Sequence, residues 1–241
     1  MTLSGKKVLI TGSGVRLGRA MALAIAKAGG DLVLHYNRSR QPAEELKAEI
    51  QSIGRQASLV QADFADPDST IQLISQVRHY APLYALVNSA AIFEPLDLRS
   101  TTLEAWEQHF KVNLTAPFLL SQSFSSLIEP DKQGRIVNIL DWRALRPGTD
   151  HFPYTISKAA LAALTHSLAV ALAPSITVNG LAFGAILPPS DGAATDKILD
   201  NVPAGRWAYL EEVAEALLFL LNGPTYITGE IIHLDGGRHL I

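Results

Sequence analysis

The 241-residue chain contains no cysteine. That absence removes disulfides, thiolate metal ligands and cysteine nucleophiles together, and it suits a cytoplasmic setting. A surplus of charge is missing too: 20 Lys and Arg against 23 Asp and Glu leave a formal net charge of −3. Without a basic surplus or a block of like charge, the sequence points away from nucleic acid. No uninterrupted apolar run reaches the roughly 20 residues that a bilayer-spanning helix needs, so no membrane segment is expected. Met1 to Lys7 is short and polar and runs directly into an apolar strand pattern, unlike a signal peptide. No metal site is expected. What remains is a compact cytoplasmic protein whose partner is a small molecule, and a chain of this length folds without a disulfide or metal staple.

Apolar runs and amphipathic stretches alternate along the whole chain. Strands are predicted at Val8–Ile10, Leu32–Tyr36, Ala57–Gln61, Tyr84–Val87, Arg135–Leu140, Ile176–Asn179 and Ile231–Leu234. Between them, 3.6-residue spacing predicts helices at Arg16–Ala28, from Pro42 to Ile53, Pro67–Tyr80, Leu103–Ile128, Pro153–Ala173 and Glu211–Leu221. Alternating strands and helices imply right-handed βαβ units. The expected fold is α/β: one Rossmann-type doubly wound parallel sheet of about seven strands, with helices on both faces. One domain spans residues 1–241, because no linker or second core is visible. Residues 184–201 lack clear periodicity, with Pro188, Pro189, Ser190, Asp191 and Gly192 among them, and are read as a substrate loop and candidate lid.

The first strand ends in Thr11-Gly12-Ser13-Gly14-Val15-Arg16-Leu17-Gly18. Glycines between a strand and a helix permit a tight turn and let backbone N–H groups approach a pyrophosphate at the helix N-terminus. Gly12, Arg16, Leu17 and Gly18 are therefore candidate cofactor residues. The end of the second strand discriminates between NAD and NADP. A carboxylate there would bond the ribose 2′-hydroxyl and repel a 2′-phosphate. This chain has none: it reads Tyr36-Asn37-Arg38-Ser39-Arg40, in which Arg38 offers a guanidinium fork and Ser39 a hydroxyl. The alternative is that these arginines are simply solvated. NADPH/NADP is the expected cofactor. Asp63 and Phe64 after the third strand, Asn88 and Ala90 after the fourth, and Gly184 after the sixth lie at strand carboxyl ends, where ligands of such sheets bind.

Tyr154 and Lys158 stand four apart on one helix and so share a face. A nearby ammonium is expected to lower the phenol's ordinary pKa near 10 and ease proton transfer to a substrate receiving hydride. With this the sequence resembles the short-chain dehydrogenase/reductase family. The resemblance covers essentially the whole chain: Thr11-Gly12 with Gly18, Asn88-x-Ala90, Asn113 within Lys111-Val112-Asn113-Leu114, Tyr154-x-x-x-Lys158, and Leu234-Asp235-Gly236-Gly237. It implies that Asn113 holds a water in a proton relay through Lys158, and that the chain is a homotetramer. It also implies that Lys158 touches the cofactor.

Two departures narrow the resemblance. Asp141 stands where most members carry a serine, and Arg16-Leu17-Gly18 replaces the glycine-rich form of the first loop. Both features, with the unusual Leu234–Leu240 segment, look like the pteridine reductase branch. There Asp141 would pass on the proton that reduction of a pterin C=N bond demands. Phe93 would stack on the flat ring, or else be a core aromatic; Asp141 alternatively caps a loop. Arg16 would sit near the substrate or cofactor phosphates, and Phe183 would form a second wall. Catalytic candidates are thus Tyr154, Lys158, Asp141 and Asn113. Substrate candidates are Arg16, Phe93, Asp141, Tyr154 and Phe183. A ketone or 3-oxoacyl thioester is the competing substrate, and a non-catalytic NADP(H)-binding protein is the third reading.

Overall fold

The computed structural model describes residues 2–188 and 196–241. Seven parallel strands form one sheet in the order β3-β2-β1-β4-β5-β6-β7. They are β1 (Lys7–Ile10), β2 (Asp31–Tyr36), β3 (Ala57–Gln61), β4 (Ala85–Asn88), β5 (Gly134–Asp141), β6 (Ile176–Phe183) and β7 (Ile231–Leu234). The predicted doubly wound architecture is therefore present. Side chains alternate across each strand, so successive residues feed opposite cores. In β1, Val8 and Ile10 face one core while Leu9 faces the other.

The first core lies under α1 (Arg16–Lys27), α2 (Arg40–Ser52) and α8 (Leu210–Asn222), through residues such as Met21, Ile25, Leu46, Ile50, Val213 and Leu217. The second lies under α3 (Pro67–Val77), α5 (Ala116–Ser125) and α6 (Phe152–Leu172), through Leu73, Leu120, Phe124 and Ala169. Each fully buried leucine or isoleucine contributes roughly 1.5–3 kcal/mol relative to exposure. Strands burying both faces read as continuous apolar runs, which is why the sequence showed them so clearly.

Most boundaries fall within three residues of expectation, and two elements depart further. β6 continues four residues past Asn179 to Phe183, through Gly180. A Cβ at Gly180 would lie 2.6 Å from Leu140 Cδ1, so glycine here permits close strand packing rather than ending the strand. The predicted helix Leu103–Ile128 is split into α4 (Leu103–Phe110), a π-helical turn at Lys111–Thr115 and α5. Pro117 has no N–H to return to the Asn113 carbonyl four residues earlier, and the wider turn absorbs that break.

The 21-residue α6 is long and apolar enough, by composition, to cross a bilayer, although the sequence reading found no such run. It packs on the sheet and buries Tyr154, Ser157, Lys158 and Thr165, as a core helix does. The short α7 (Asp196–Leu199) lies within the expected substrate loop. Residues 189–195 of that loop lie outside the described residues, and with them the expectation of a lid.

Candidate active site

The chain leaves β1 toward β2 and returns to β4 on the other side, so the strand order reverses between β1 and β4. A crevice opens there at the strand carboxyl ends. The Thr11 hydroxyl accepts from the backbone N–H groups of Ser89 and Ala90 at 2.9 and 3.0 Å, clamping the two strand ends together. Gly12 has φ +64°, and a Cβ on it would lie 2.8 Å from Ala90 Cα. A Cβ on Gly14 would lie 2.5 Å from Ser39 Oγ, and one on Gly18 would overlap the Gly12 carbonyl. The turn is thus folded too tightly for side chains. The following helix α1 has no side-chain N-cap and no acid in its first turn. Its first N–H groups remain open to an anion, and this chemistry fits a dinucleotide pyrophosphate.

His35 holds this loop from beneath. Gly12 N donates to His35 Nδ1 at 3.1 Å, and His35 Nε2 donates to the Ala62 carbonyl at 3.1 Å. Its ring stacks on Phe64, centroids 4.2 Å apart. Burial lowers the His35 pKa from 6.5 to about 4, against the opposing pull of its bond to Ala62 and of the Asp63 charge. The ring is therefore neutral, with its tautomer fixed by the two partners.

Tyr154, Asp141, Phe93 and Lys158 converge at the carboxyl end of β5. Tyr154 Oη donates to Asp141 Oδ2 at 3.1 Å. Asp141 also accepts from the backbone N–H of Arg143 at 2.9 Å, capping the turn that begins at Trp142. Asp141 thus both meets Tyr154 and caps the turn that follows β5. Phe93 is half exposed and meets Tyr154 edge-on, centroids 4.6 Å apart. Its face stacks on His151 at 3.7 Å. Lys158 is buried, with Nζ donating to the Ile139 carbonyl at 2.7 Å.

The charges differ from the expected pattern. Tyr154 is pushed well above its ordinary value, first by burial and then by the Asp141 carboxylate. Lys158 does not lower it, because Asp141 is the nearer charge and Lys158 sits 5.8 Å from the ring centroid. Burial pulls Lys158 down to about 8 and pushes Asp141 up, although Arg143, Tyr154 and Lys158 all favour the Asp141 carboxylate. The site thus stores protons on Tyr154 and, more readily than an ordinary carboxyl, on Asp141.

A family model described as enoyl-(acyl carrier protein) reductase matches residues 14–239. A 3-oxoacyl-[acyl-carrier-protein] reductase of a Synechocystis strain is 34% identical over 98% of this chain and 97% of its own. The chain belongs to the short-chain dehydrogenase/reductase family. Among solved structures, the alternative dihydrofolate reductase FolM of Brucella canis, complexed with NADP, superposes with TM-score 0.91. It is 33% identical, covering 100% of this chain and 97% of the other. A Burkholderia cenocepacia short-chain dehydrogenase in complex with NADP gives TM-score 0.92 at 32% identity, with 99% of both chains covered.

Other expected residues of this short-chain dehydrogenase/reductase fall into place unevenly. Asn113 is fully buried in the π-helical turn, and its side chain is occupied. It donates to the Ile92 carbonyl at 3.1 Å and to Ser157 Oγ at 3.0 Å, and accepts from Ile92 N at 2.9 Å. Asn113 therefore fixes the segment that carries Phe93. The side chain fills the kink, which is compatible with a relay role, and no hydrogen bond joins it to Lys158 among the described residues. The Asn88 side chain is a buried strut, donating to Asn138 Oδ1 at 2.8 Å. Phe64 and Tyr36 are buried, so any cofactor contact there comes from backbone.

Phe183 also corrects the reading, since it is buried in the first core with Ile139 and Ile186 and offers no open wall. Arg38 is exposed beside Asn37 and Ser39, free of ion pairs among the described residues. Asp63 receives Ala65 N in a tight turn at 3.0 Å. Arg16, with φ +50°, donates to the Pro188 carbonyl at 3.1 Å and ties the first loop to the segment after β6. Leu17 packs partly buried on the first core. A Cβ on Gly184 would lie 2.6 Å from Asp235 Cα, so this glycine lets β6 and the end of β7 close up.

Sequence reasoning missed His35, Arg143 and His151. A histidine inside an otherwise apolar strand was the available signal for His35. Arg143 and His151 acquire partners only when the β5–α6 connection folds over Phe93.

Proposed function

We propose that this short-chain oxidoreductase reduces a pteridine of the dihydropterin or dihydromonapterin type with NADPH as cofactor. The observation that carries the reading is Asp141, hydrogen-bonded to Tyr154 at 3.1 Å beside the half-exposed ring of Phe93. Bound NADPH supplies hydride to the substrate carbon. The backbone of Gly12 and Gly18 and the start of α1 would hold its pyrophosphate, Arg38 and Ser39 its 2′-phosphate, and Lys158 its ribose.

Reduction of a C=N bond leaves a nitrogen that must gain a proton. Tyr154 holds a proton at Oη throughout, because burial and Asp141 both oppose its ionisation. Asp141 is the group that loads and passes on the proton, since burial raises its pKa toward the working range. Phe93 orients a flat ring, and Asn113 fixes the segment that carries it. The similar FolM protein of Brucella canis is an alternative dihydrofolate reductase, which supports the pterin reading. Homotetramer assembly belongs to the same proposal.

A second reading, reduction of a 3-oxoacyl thioester, is favoured by the 34% identity to a 3-oxoacyl-[acyl-carrier-protein] reductase. Asp141 opposes it, because an ionised carboxylate beside a developing oxyanion raises the barrier. Asp141→Asn tests the proposal. Dihydropterin turnover should fall at least a hundredfold, of the order that a positioned acid contributes, with NADPH affinity retained. Turnover within threefold of wild type overturns it.

A further inference from the structure

The rim beside Asp141 carries more positive charge than its carboxylates answer. The Trp142 indole is approached by two guanidinium groups, Arg143 at 4.9 Å and Arg238 at 4.3 Å from the ring centroid. Arg143 has acid partners, Asp150 at 2.9 Å and Asp141 at 3.8 Å. Arg238 has no carboxylate within 4.0 Å among the described residues. Asp235, three residues before it, is committed elsewhere: it accepts from Gly237 N at 2.9 Å and from His239 N and Nδ1 at 2.8 Å each.

Arg238 Nε is buried without a hydrogen-bond partner. Arg146 adds a third guanidinium, donating to the Arg238 carbonyl at 3.5 Å. Burial and the like charge of Arg143 both work against the Arg238 cation, while Asp141 and Asp150 partly offset them. A part-buried, unanswered guanidinium is costly unless something anionic completes it.

We propose that Arg238, with Arg146 beside it, forms a subsite for an anionic tail on the substrate whose ring is processed at Tyr154 and Asp141. Resting on the pterin reading, this makes the preferred substrate a pterin with a carboxylate-bearing tail, as in dihydrofolate, over one with a neutral side chain. A guanidinium binds a carboxylate through two parallel N–H donors, which suits this role. The same chemistry would accept the phosphates of an acyl-carrier arm, so the test separates the two sources. A role confined to packing on Trp142 would serve every substrate alike.

The experiment is steady-state kinetics with dihydrofolate and dihydrobiopterin on wild type, Arg238→Gln and Arg238→Lys. In Arg238→Gln the kcat/KM preference for dihydrofolate over dihydrobiopterin should fall about tenfold, as expected for one charge-assisted hydrogen bond. Arg238→Lys should recover part of it, and added salt should erode the same ratio in wild type. Equal losses on both substrates, or an unchanged ratio, overturn the subsite. Should neither pterin turn over while a 3-oxoacyl-CoA does, the pterin reading falls. The ratio is then taken between that CoA thioester and its phosphate-free N-acetylcysteamine analogue. A tenfold fall in Arg238→Gln keeps the anion subsite with phosphate as its ligand, and an unchanged ratio removes it.

Discussion

His35 links protonation to stability in a way that can be measured. Its pKa is 6.5 unfolded and about 4 folded, so the unfolded chain binds more protons than the folded one between those values. Stability from the neutral ring is therefore complete above about pH 6.5 and is lost as pH falls toward 4. From the two pKa values, the loss between about pH 7.5 and pH 5 is about 2 kcal/mol. Carboxylates titrate in the lower part of that window as well, so a variant must serve as the reference. His35→Asn leaves an oxygen for the Gly12 N–H but has no proton to gain. Denaturant titrations of both proteins at the two pH values give a double difference. Wild type should lose about 2 kcal/mol more than His35→Asn on acidification. Equal losses would show that the ring is not held neutral by its burial and its contacts with Gly12 and Ala62, and would refute the reasoning.

Further outcomes follow from the same geometry. Tyr154→Phe removes the hydroxyl that donates to Asp141 at 3.1 Å, so turnover should fall at least about a hundredfold while NADPH affinity, measured by fluorescence titration, stays within about twofold. Gly12→Ala places a methyl 2.8 Å from Ala90 Cα at a φ of +64°; it should cost about 1–3 kcal/mol in stability and abolish NADPH binding. Arg38→Ala should raise the KM for NADPH about tenfold with little change for NADH. An equal change for both cofactors would remove Arg38 from 2′-phosphate recognition. Because burial raises the Asp141 pKa above its ordinary value and the group must be protonated to donate, pterin kcat/KM should decline as pH rises through that raised pKa; a pH profile with no such acidic limb, or one unchanged in Asp141→Asn, would contradict that.

The sheet was legible because both faces of each strand are buried, leaving apolar runs such as Val8–Ile10 that need no alignment to recognise. Errors arose where one residue served a packing need that a local rule cannot see. Gly180 reads as a strand end but admits Leu140. Pro117, by contrast, is a local helix-breaking signal inside the predicted Leu103–Ile128 helix, and it acts at the π-helical turn around Asn113. The Tyr154–Lys158 pair was evident from spacing, whereas its electrostatics were not. Which charge lies nearer to Tyr154 depends on β5 delivering Asp141, a contact across 13 residues. His151 and Arg238 were silent in the sequence because their ring partners come from separate segments, and Arg143 because Asp141 and Asp150 meet it only once the connection folds. An arginine in a connection carries no signal until those segments meet.

The central claim is that the Asp141–Tyr154 pair serves reduction of a pterin. Its most direct test is NADPH consumption by the wild-type protein with dihydromonapterin, run beside the same assay with a 3-oxoacyl thioester. The pterin should turn over with a kcat/KM at least about a hundredfold above that of the thioester. Efficient turnover of the thioester with none of the pterin would contradict it, leaving the fold and the cofactor site in place and assigning Asp141 another role.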